Sequence, residues 1–396
     1  MRVWFLGVVA FMAAGCQERL AMPSTCPELC PGEGLIIRDT VLLPITGRDS
    51  TYLGYIGATQ ITALLASNGL PAGEARAWAI FPRRPDSVFV LGVRYAYTID
   101  SAAILVHITA RDTAVKDLRL IVHRIPLPVD STTTLADLDP LLTLESVVDS
   151  VRVPDTLRSG DVRMVLPAEA VSRLDPDETD STRFALAFRV NAPVPTGVRL
   201  GSTFSAEGGP VYLTYVQAPT PDTTLRRQTI SLPADSSNYV LEPPPVPGPE
   251  VLYLGGRSGS RIILRFRLPA FIRDSSTVIR ATLELTPVGP LKGLPNDPAE
   301  LQTRAVLIDV GAKSPAFAGT VGLYLLRTEV TEVQSFEVRG PVSTWFGPGG
   351  LTPTLLLGLA PEGGTFSRPE FFSSLAPAGA PRLRLTYATS ARPGFP

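Results

Sequence analysis

Arg261-Ile-Ile-Leu-Arg-Phe-Arg-Leu268 alternates between apolar and charged side chains from Leu264 onward. In an extended chain successive side chains point to opposite faces, so Ile262, Leu264, Phe266 and Leu268 share one face and Arg265 and Arg267 take the other. That is the pattern of a strand with one face in a core and one in water. Pro381 to Tyr387 repeats it, with Leu383, Leu385 and Tyr387 inward and Arg382, Arg384 and Thr386 outward. Ala281, Leu283 and Leu285 likewise alternate with Thr282 and Glu284. Short Val/Leu/Ile/Thr runs broken by Pro, Gly, Asp and Ser continue along the chain, and they predict an all-β protein.

These strands have earlier counterparts. Thr40-Val-Leu-Leu-Pro44 is echoed by Thr229-Ile-Ser-Leu-Pro233, and Tyr52-Leu-Gly54 by Tyr253-Leu-Gly255. Ile99-Asp-Ser-Ala-Ala-Ile-Leu-Val-His-Ile108 corresponds to Val278-Ile-Arg-Ala-Thr-Leu-Glu-Leu285. Phe204 and Phe366, each followed by serine, precede Val211-Tyr-Leu-Thr-Tyr215 and Arg382-Leu-Arg-Leu-Thr-Tyr387. Five echoes in one order predict a duplication, and copies of this length suit sandwiches and exceed solenoid or propeller units. The expected fold is two tandem jelly-roll-like β-sandwich domains, residues 35–217 and 225–389, with 218–224 as linker and 390–396 as tail. The proline-rich run Pro243 to Pro249 is a rival boundary.

The N-terminus carries an address. Arg2 is a short positive region, Val3 to Met12 an apolar run of signal-peptide length, and Ala13-Ala14-Gly15 leads directly into Cys16. This resembles a bacterial lipobox, with Ala13 where leucine is usual. The resemblance implies a signal peptide at 1–15, a lipidated Cys16 and a tether at 16–34, placing the protein on the cell envelope. Gln17 follows the cysteine, with no aspartate to suggest inner-membrane retention, so the outer membrane is the expected location. No later apolar stretch reaches transmembrane length. Cys26 and Cys30 lie close together, and an oxidising setting favours a local disulfide, whereas two thiols without a histidine make half a zinc site.

A formal charge of −1 argues against nucleic acid as a partner. The expected partners are the membrane, through the lipid, and an envelope protein or a polysaccharide.

From Leu264 through Val278–Leu285, Val338 to Trp345, Leu355-Leu-Leu357, Phe366-Ser367 and Pro381–Tyr387, the second copy resembles the DNRLRE-type β-sandwich domains of bacterial surface proteins. The first copy resembles them more faintly, departing at Arg76-Ala-Trp-Ala-Ile-Phe81. The resemblance implies a jelly-roll-like sandwich displayed outside the cell, sometimes beside carbohydrate-active enzymes, and carries no catalytic residues to transfer. The lipobox followed by Ile99 to Ala102 is also similar to uncharacterised surface lipoproteins.

Catalytic motifs are scarce. There is no Gly-x-Ser-x-Gly elbow, His-Glu-x-x-His pair or phosphate-cradling Gly-x-x-x-x-Gly-Lys loop. His107 and His123 fall in strand patterns and read as sheet residues. Trp78 shares a strand face with Ile80 and reads as core. Trp345 precedes Phe346-Gly-Pro-Gly-Gly350, a loop position from which it could stack on a ligand, with core packing as the alternative. Asp175, Asp177 and Asp180 suit a calcium ion, the one cofactor considered, with a solvated acidic turn as the alternative. The leading expectation is a non-catalytic envelope binding or scaffolding lipoprotein. The second is a carbohydrate-binding module serving a polysaccharide-processing system, and the third a polysaccharide-cleaving enzyme.

Overall fold

The alternating stretches pair into antiparallel sheets that pack face to face. The computed structural model describes residues 35–390 apart from 54–61, 71–72, 173, 175–181, 243–245, 256–259, 292, 295–296, 298 and 328–329. The signal peptide, Cys16, Cys26, Cys30 and the run with Asp175, Asp177 and Asp180 lie outside the described residues, as do 391–396 of the tail.

Two sandwiches are built. In the first, one sheet runs in the order Arg227–Pro233, Val211–Gln217, Thr98–Arg111, Thr196–Gly201, Ala63–Asn68, and Gly160–Leu166 pairs along the other edge of Thr98–Arg111. It faces a sheet of Ser236–Leu241, Ala75–Pro82, Arg183–Asn191, Arg119–Ile125 and Val147–Arg152. In the second, Leu35–Leu42, Arg382–Ser390, Ser276–Leu285 and Gln334–Glu337 face Ser50–Leu53, Ser260–Arg265, Thr354–Ala360, Glu300–Val306 and Ala316–Leu325. The chain crosses repeatedly between the sheets of each sandwich, the double-sheet arrangement of a jelly roll.

The cores follow the alternation. Ile262, Leu264, Phe266 and Leu268 meet Ala281, Leu283, Leu285, Leu383, Leu385 and Tyr387 between the sheets of the second sandwich. Each large apolar side chain so buried stabilises by about 1.5–3 kcal/mol. The five-stranded sheet of the first sandwich is covered on both sides. Its outer face packs Trp78, Ile80, Ala185 and Ala187 beneath Val129, Leu138 and Leu142. This flap contains the short helix Leu135–Leu138, whose N-terminus is closed by reciprocal hydrogen bonds between Thr134 and Asp137. Double coverage explains why Phe184-Ala-Leu-Ala-Phe188 is unbroken by polar residues.

The pairing departs from the expected serial division at 217 and 225. Leu35–Leu42 pairs with Arg382–Ser390, and Ser50–Leu53 with Ser260–Arg265, so the leading strands of the first repeat complete the second sandwich. Reciprocally, Arg227–Pro233 pairs with Val211–Gln217, and Ser236–Leu241 with Ala75–Pro82, inside the first. The expected linker 218–224 instead turns the chain between two neighbouring strands of one sheet, with Ala218 and Thr220 buried. Strand pattern records which face is buried and says nothing about which copy supplies the neighbour, so the exchange left no mark on hydropathy.

The two repeats share an irregularity. Tyr215 opposes Ser101 and Val216 opposes Ile99, which leaves Asp100 as a bulge. Thr386 opposes Arg280 and Tyr387 opposes Val278, which leaves Ile279 as a bulge. These are matching positions of the two echoed stretches, and a bulge at the same place in both supports the duplication. The register also corrects one echo. Tyr212, Thr214 and Val216 are buried in the first sandwich, but Leu383, Leu385 and Tyr387 in the second, so matching the Leu-Thr-Tyr runs is out by one residue.

Polar and apolar contacts join the sandwiches. Arg199 Nη1 lies 2.5 Å from Asp297 Oδ1, and the Asp297 side chain is 0% exposed. Thr365 Oγ1 donates to Asp297 Oδ2 at 3.2 Å, and the Tyr239 hydroxyl donates to the Gly363 carbonyl. Phe366 from the second repeat enters the first core beside Gly197, where a Cβ would sit 2.8 Å from its ring.

Candidate functional site

With Leu383 and Leu385 turned inward, the alternate residues of the four-stranded sheet form its outer face. Asp39, Arg280, Thr282, Glu284, Arg384 and Thr386 line an open basin of about 660 Å³ there. Arg384 Nε donates to Glu284 Oε1 at 2.5 Å, Arg280 Nε to Glu337 Oε2 at 3.1 Å, and Thr386 Oγ1 to Asp39 Oδ1 at 2.6 Å. Exposed ion pairs contribute about 0–1 kcal/mol, so the exposed Arg280 and Arg384 guanidinium groups can turn to a ligand at little cost. Glu337 is also held by the Ala281 and Arg339 backbone N–H groups. The basin offers guanidinium donors and carboxylate and hydroxyl acceptors to a polar polymer. The corresponding face of the first sandwich differs: His107 Nδ1 lies 2.8 Å from Asp161 Oδ1, and the Arg163 guanidinium sits 5.0 Å from the Tyr215 ring centre.

A second feature is the edge strand Ala316–Leu325, Ala-Phe-Ala-Gly-Thr-Val-Gly-Leu-Tyr-Leu. It holds no charged residue and no proline over ten residues. Its one strand partner among the described residues is Glu300–Val306, and no described strand pairs along its other edge. Leu323 and Leu325 are 54% and 65% exposed. The inner side is fixed: the Tyr324 hydroxyl donates to the Glu337 carbonyl, and burial raises its pKa. Gly319 and Gly322 let the aromatic rings of Phe317 and Tyr324 lie along the strand, since a Cβ at either would come 2.5 Å from Phe317 Cε1 or the Tyr324 hydroxyl. Charges, prolines and short length usually close such edges to other chains, and this strand has none of these protections.

Trp345 is placed otherwise than a stacking residue requires. It is 0% exposed, its ring centre 5.9 Å from that of Phe266, inside the second core. The short helix Arg339–Ser343 runs beside Ser276–Leu285 and delivers it inward, so it presents no ring face to a ligand. His107 is a half-buried rim residue and His123 a buried one beneath the flap, where its Nδ1 lies 3.0 Å from Ser146 Oγ. Among the described residues no group of three or more His, Cys, Asp or Glu side chains could hold a metal ion. The outward direction of Arg382, Arg384, Thr282 and Glu284 was visible in the alternation. The neighbourhood of Asp39 was not, because it comes from the exchanged strand. The open edge had a signal in its ten uncharged residues.

Fold and surface together define an all-β, jelly-roll-like sandwich protein with an open polar sheet face and an unprotected edge. No protein-family model matches the chain, and no curated protein matches it. Among solved structures, it is similar to that of the Macrobrachium rosenbergii nodavirus at 11% identity, over 95% of each chain, with a TM-score of 0.20. Infectious bursal disease virus Gx strain matches at 12% identity over 94% of this chain and 81% of that one, with a TM-score of 0.15. Likeness at this level carries no argument about function.

Proposed function

We propose that the protein is a non-catalytic binding or scaffolding module of the cell envelope, held on the outer membrane by lipid at Cys16. The observation that carries this reading is the open, uncharged Ala316–Leu325 edge, which offers unpaired backbone groups and apolar side chains to an added strand of an envelope protein. The resemblance to DNRLRE-type surface domains points the same way. The test is a photo-crosslinking residue at Leu323 in cells producing the lipidated chain. The expected result is one discrete protein adduct, lost when Val321→Lys is added to charge the edge. An adduct pattern unchanged by Val321→Lys would sink the reading.

A second reading, a carbohydrate-binding module, is favoured by the polar basin on the four-stranded sheet. Its guanidinium and carboxylate groups suit sugar hydroxyls, and Arg384→Ala is expected to lower affinity for an envelope polysaccharide about tenfold. Equal retention of both proteins on an immobilised polysaccharide would remove it. A cleaving activity calls for two carboxylates placed about the scissile bond, whereas Glu284 and Glu337 are each engaged with an arginine on an open face.

A further inference from the structure

Between the strands Ala75–Pro82 and Thr98–Arg111 the chain forms a separate two-stranded ribbon, Val88–Val90 with Val93–Tyr95. Val90 pairs with Val93, so Leu91 and Gly92 make a two-residue turn, with φ of +50° and +81°. Both values belong to the left-handed region that such a turn demands and that Asn-Gly or Asp-Gly normally fills. A leucine there is strained, and it gains nothing inside the molecule, because it is 83% exposed. Phe89 and Val93 beside it are 71% and 51% exposed. A strained, apolar tip with no internal partner has its use outside the chain.

The flanking residues indicate what receives it. Arg94 lies opposite Phe89, and its Nε donates to Ser87 Oγ at 2.5 Å, which orients the guanidinium beside the ribbon. Arg83 stands at the base, 3.0 Å from Asp86, and Tyr95 follows Arg94. At about 3.3 Å per residue, Arg94 sits two residues, about 7 Å, behind the Leu91-Gly92 tip and level with Phe89. Interfacial segments bury apolar side chains about 5–10 Å into the boundary between headgroups and acyl chains. Arginines placed behind such a tip meet lipid phosphates, and tyrosines favour the same layer.

We infer that the Val88–Tyr95 ribbon is a membrane-inserting hairpin, with Leu91 and Val93 entering acyl chains, Phe89 at the boundary between acyl chains and headgroups, and Arg94 beside it pairing with anionic phosphate. The contact is independent of the lipid at Cys16. Three apolar side chains give a weak, reversible association, comparable to a single acyl chain, with a constant on the order of 10⁴ M⁻¹. The hairpin therefore sets orientation against a bilayer and leaves permanent attachment to other means.

The test uses the full chain carrying Cys16→Ser, so that no lipid contributes. Co-sedimentation is measured with vesicles of equal parts phosphatidylethanolamine and phosphatidylglycerol. The Cys16→Ser chain is expected to partition onto them, and Leu91→Asn to weaken partitioning about tenfold. Asparagine suits the left-handed turn, so the melting temperature of Leu91→Asn should hold or rise, which separates lost binding from lost folding. Phe89→Ser is expected to weaken binding similarly, and Arg94→Gln to do so on these vesicles but not on phosphatidylcholine. Equal partitioning of the Cys16→Ser chain with and without Leu91→Asn would overturn the inference, as would no binding by either.

Discussion

The five-stranded sheets of the two sandwiches share one strand order, and the facing sheets share a bulge, yet the two differ at their rims. The first ends its five-stranded sheet in Val147–Arg152, a six-residue edge carrying Asp149 and Arg152, and covers that sheet with a flap. The second ends in Ala316–Leu325, ten residues long and uncharged, and among the described residues Ile263, Val306 and Leu356 cluster on the outer face of its sheet beside Tyr52 and Ala316. Cores and bulges are held by the packing of two sheets, which tolerates little change. Rims have no such constraint, and one copy closed its edge while the other left it open.

The exchange of leading strands makes each sandwich depend on the other repeat. The largest effect should come from separating them. Residues 225–389 alone lack Leu35–Leu42, which covers one side of Arg382–Ser390, and Ser50–Leu53, which covers Ser260–Arg265. We expect that fragment to show no cooperative thermal transition by circular dichroism, and fusion of residues 35–53 ahead of it to restore one. A cooperative melt of the bare fragment would show that the exchanged strands are dispensable.

The tryptophans sharpen the comparison next. Trp345→Ala empties a site between the two sheets of the second sandwich and should cost about 4 kcal/mol in denaturant unfolding. Trp78 lies outside the first sandwich's core, under a flap that can settle, so Trp78→Ala should cost less, about 2 kcal/mol. Equal costs would mean that the flap is as rigid as a core layer.

Much of this was legible beforehand, and the rest was hidden for physical reasons. Period-two alternation identified Ile262, Leu264, Phe266 and Leu268 as core because burial on one face imposes it. The equivalence of Ile99–Val106 with Val278–Leu285 also held, down to the bulge. The strand exchange stayed hidden because a strand buries the same face whichever repeat lies beside it. Trp345 stayed open between stacking and core packing because a glycine-rich loop follows it, and the helical turn that directs it inward is only five residues long. The basin needed Asp39 beside Thr386, a pairing across nearly the whole chain.

The junction tests the asymmetry of the exchange. Arg199→Met leaves the Asp297 carboxylate buried with Thr365 alone, and removing one partner of a buried pair costs about 3 kcal/mol or more. Asp297→Asn leaves the arginine, whose side chain is 18% exposed and reaches water, so its cost should be nearer 1 kcal/mol. Denaturant titration of both variants gives the order. A reversed order would show that Arg199, rather than Asp297, is the group that solvent cannot reach.

The smallest effect concerns the flap that only the first sandwich has. His123 is buried beneath it, and desolvation first, then nearby Arg189, pushes its imidazole below the ordinary range. Thr143 accepts a hydrogen bond and Asp139 pulls the other way, but the net shift is downward. Below about pH 6.5 the unfolded chain therefore binds a proton that the native chain refuses, and stability falls as pH falls, by up to about 1.4 kcal/mol per unit. Asp309 and Asp155, both held below the usual carboxylate range by hydrogen bonds, lose their contributions at lower pH. Asp297 is raised by burial and acts with the opposite sign, because its native carboxyl takes up a proton more readily than the unfolded one. The difference between the parent and His123→Gln isolates the imidazole. Their unfolding free energies should converge as pH drops from about 6.5 toward 5, as the parent loses stability that the variant does not. Parallel profiles over that interval would mean that the flap opens and hydrates His123 in the native state.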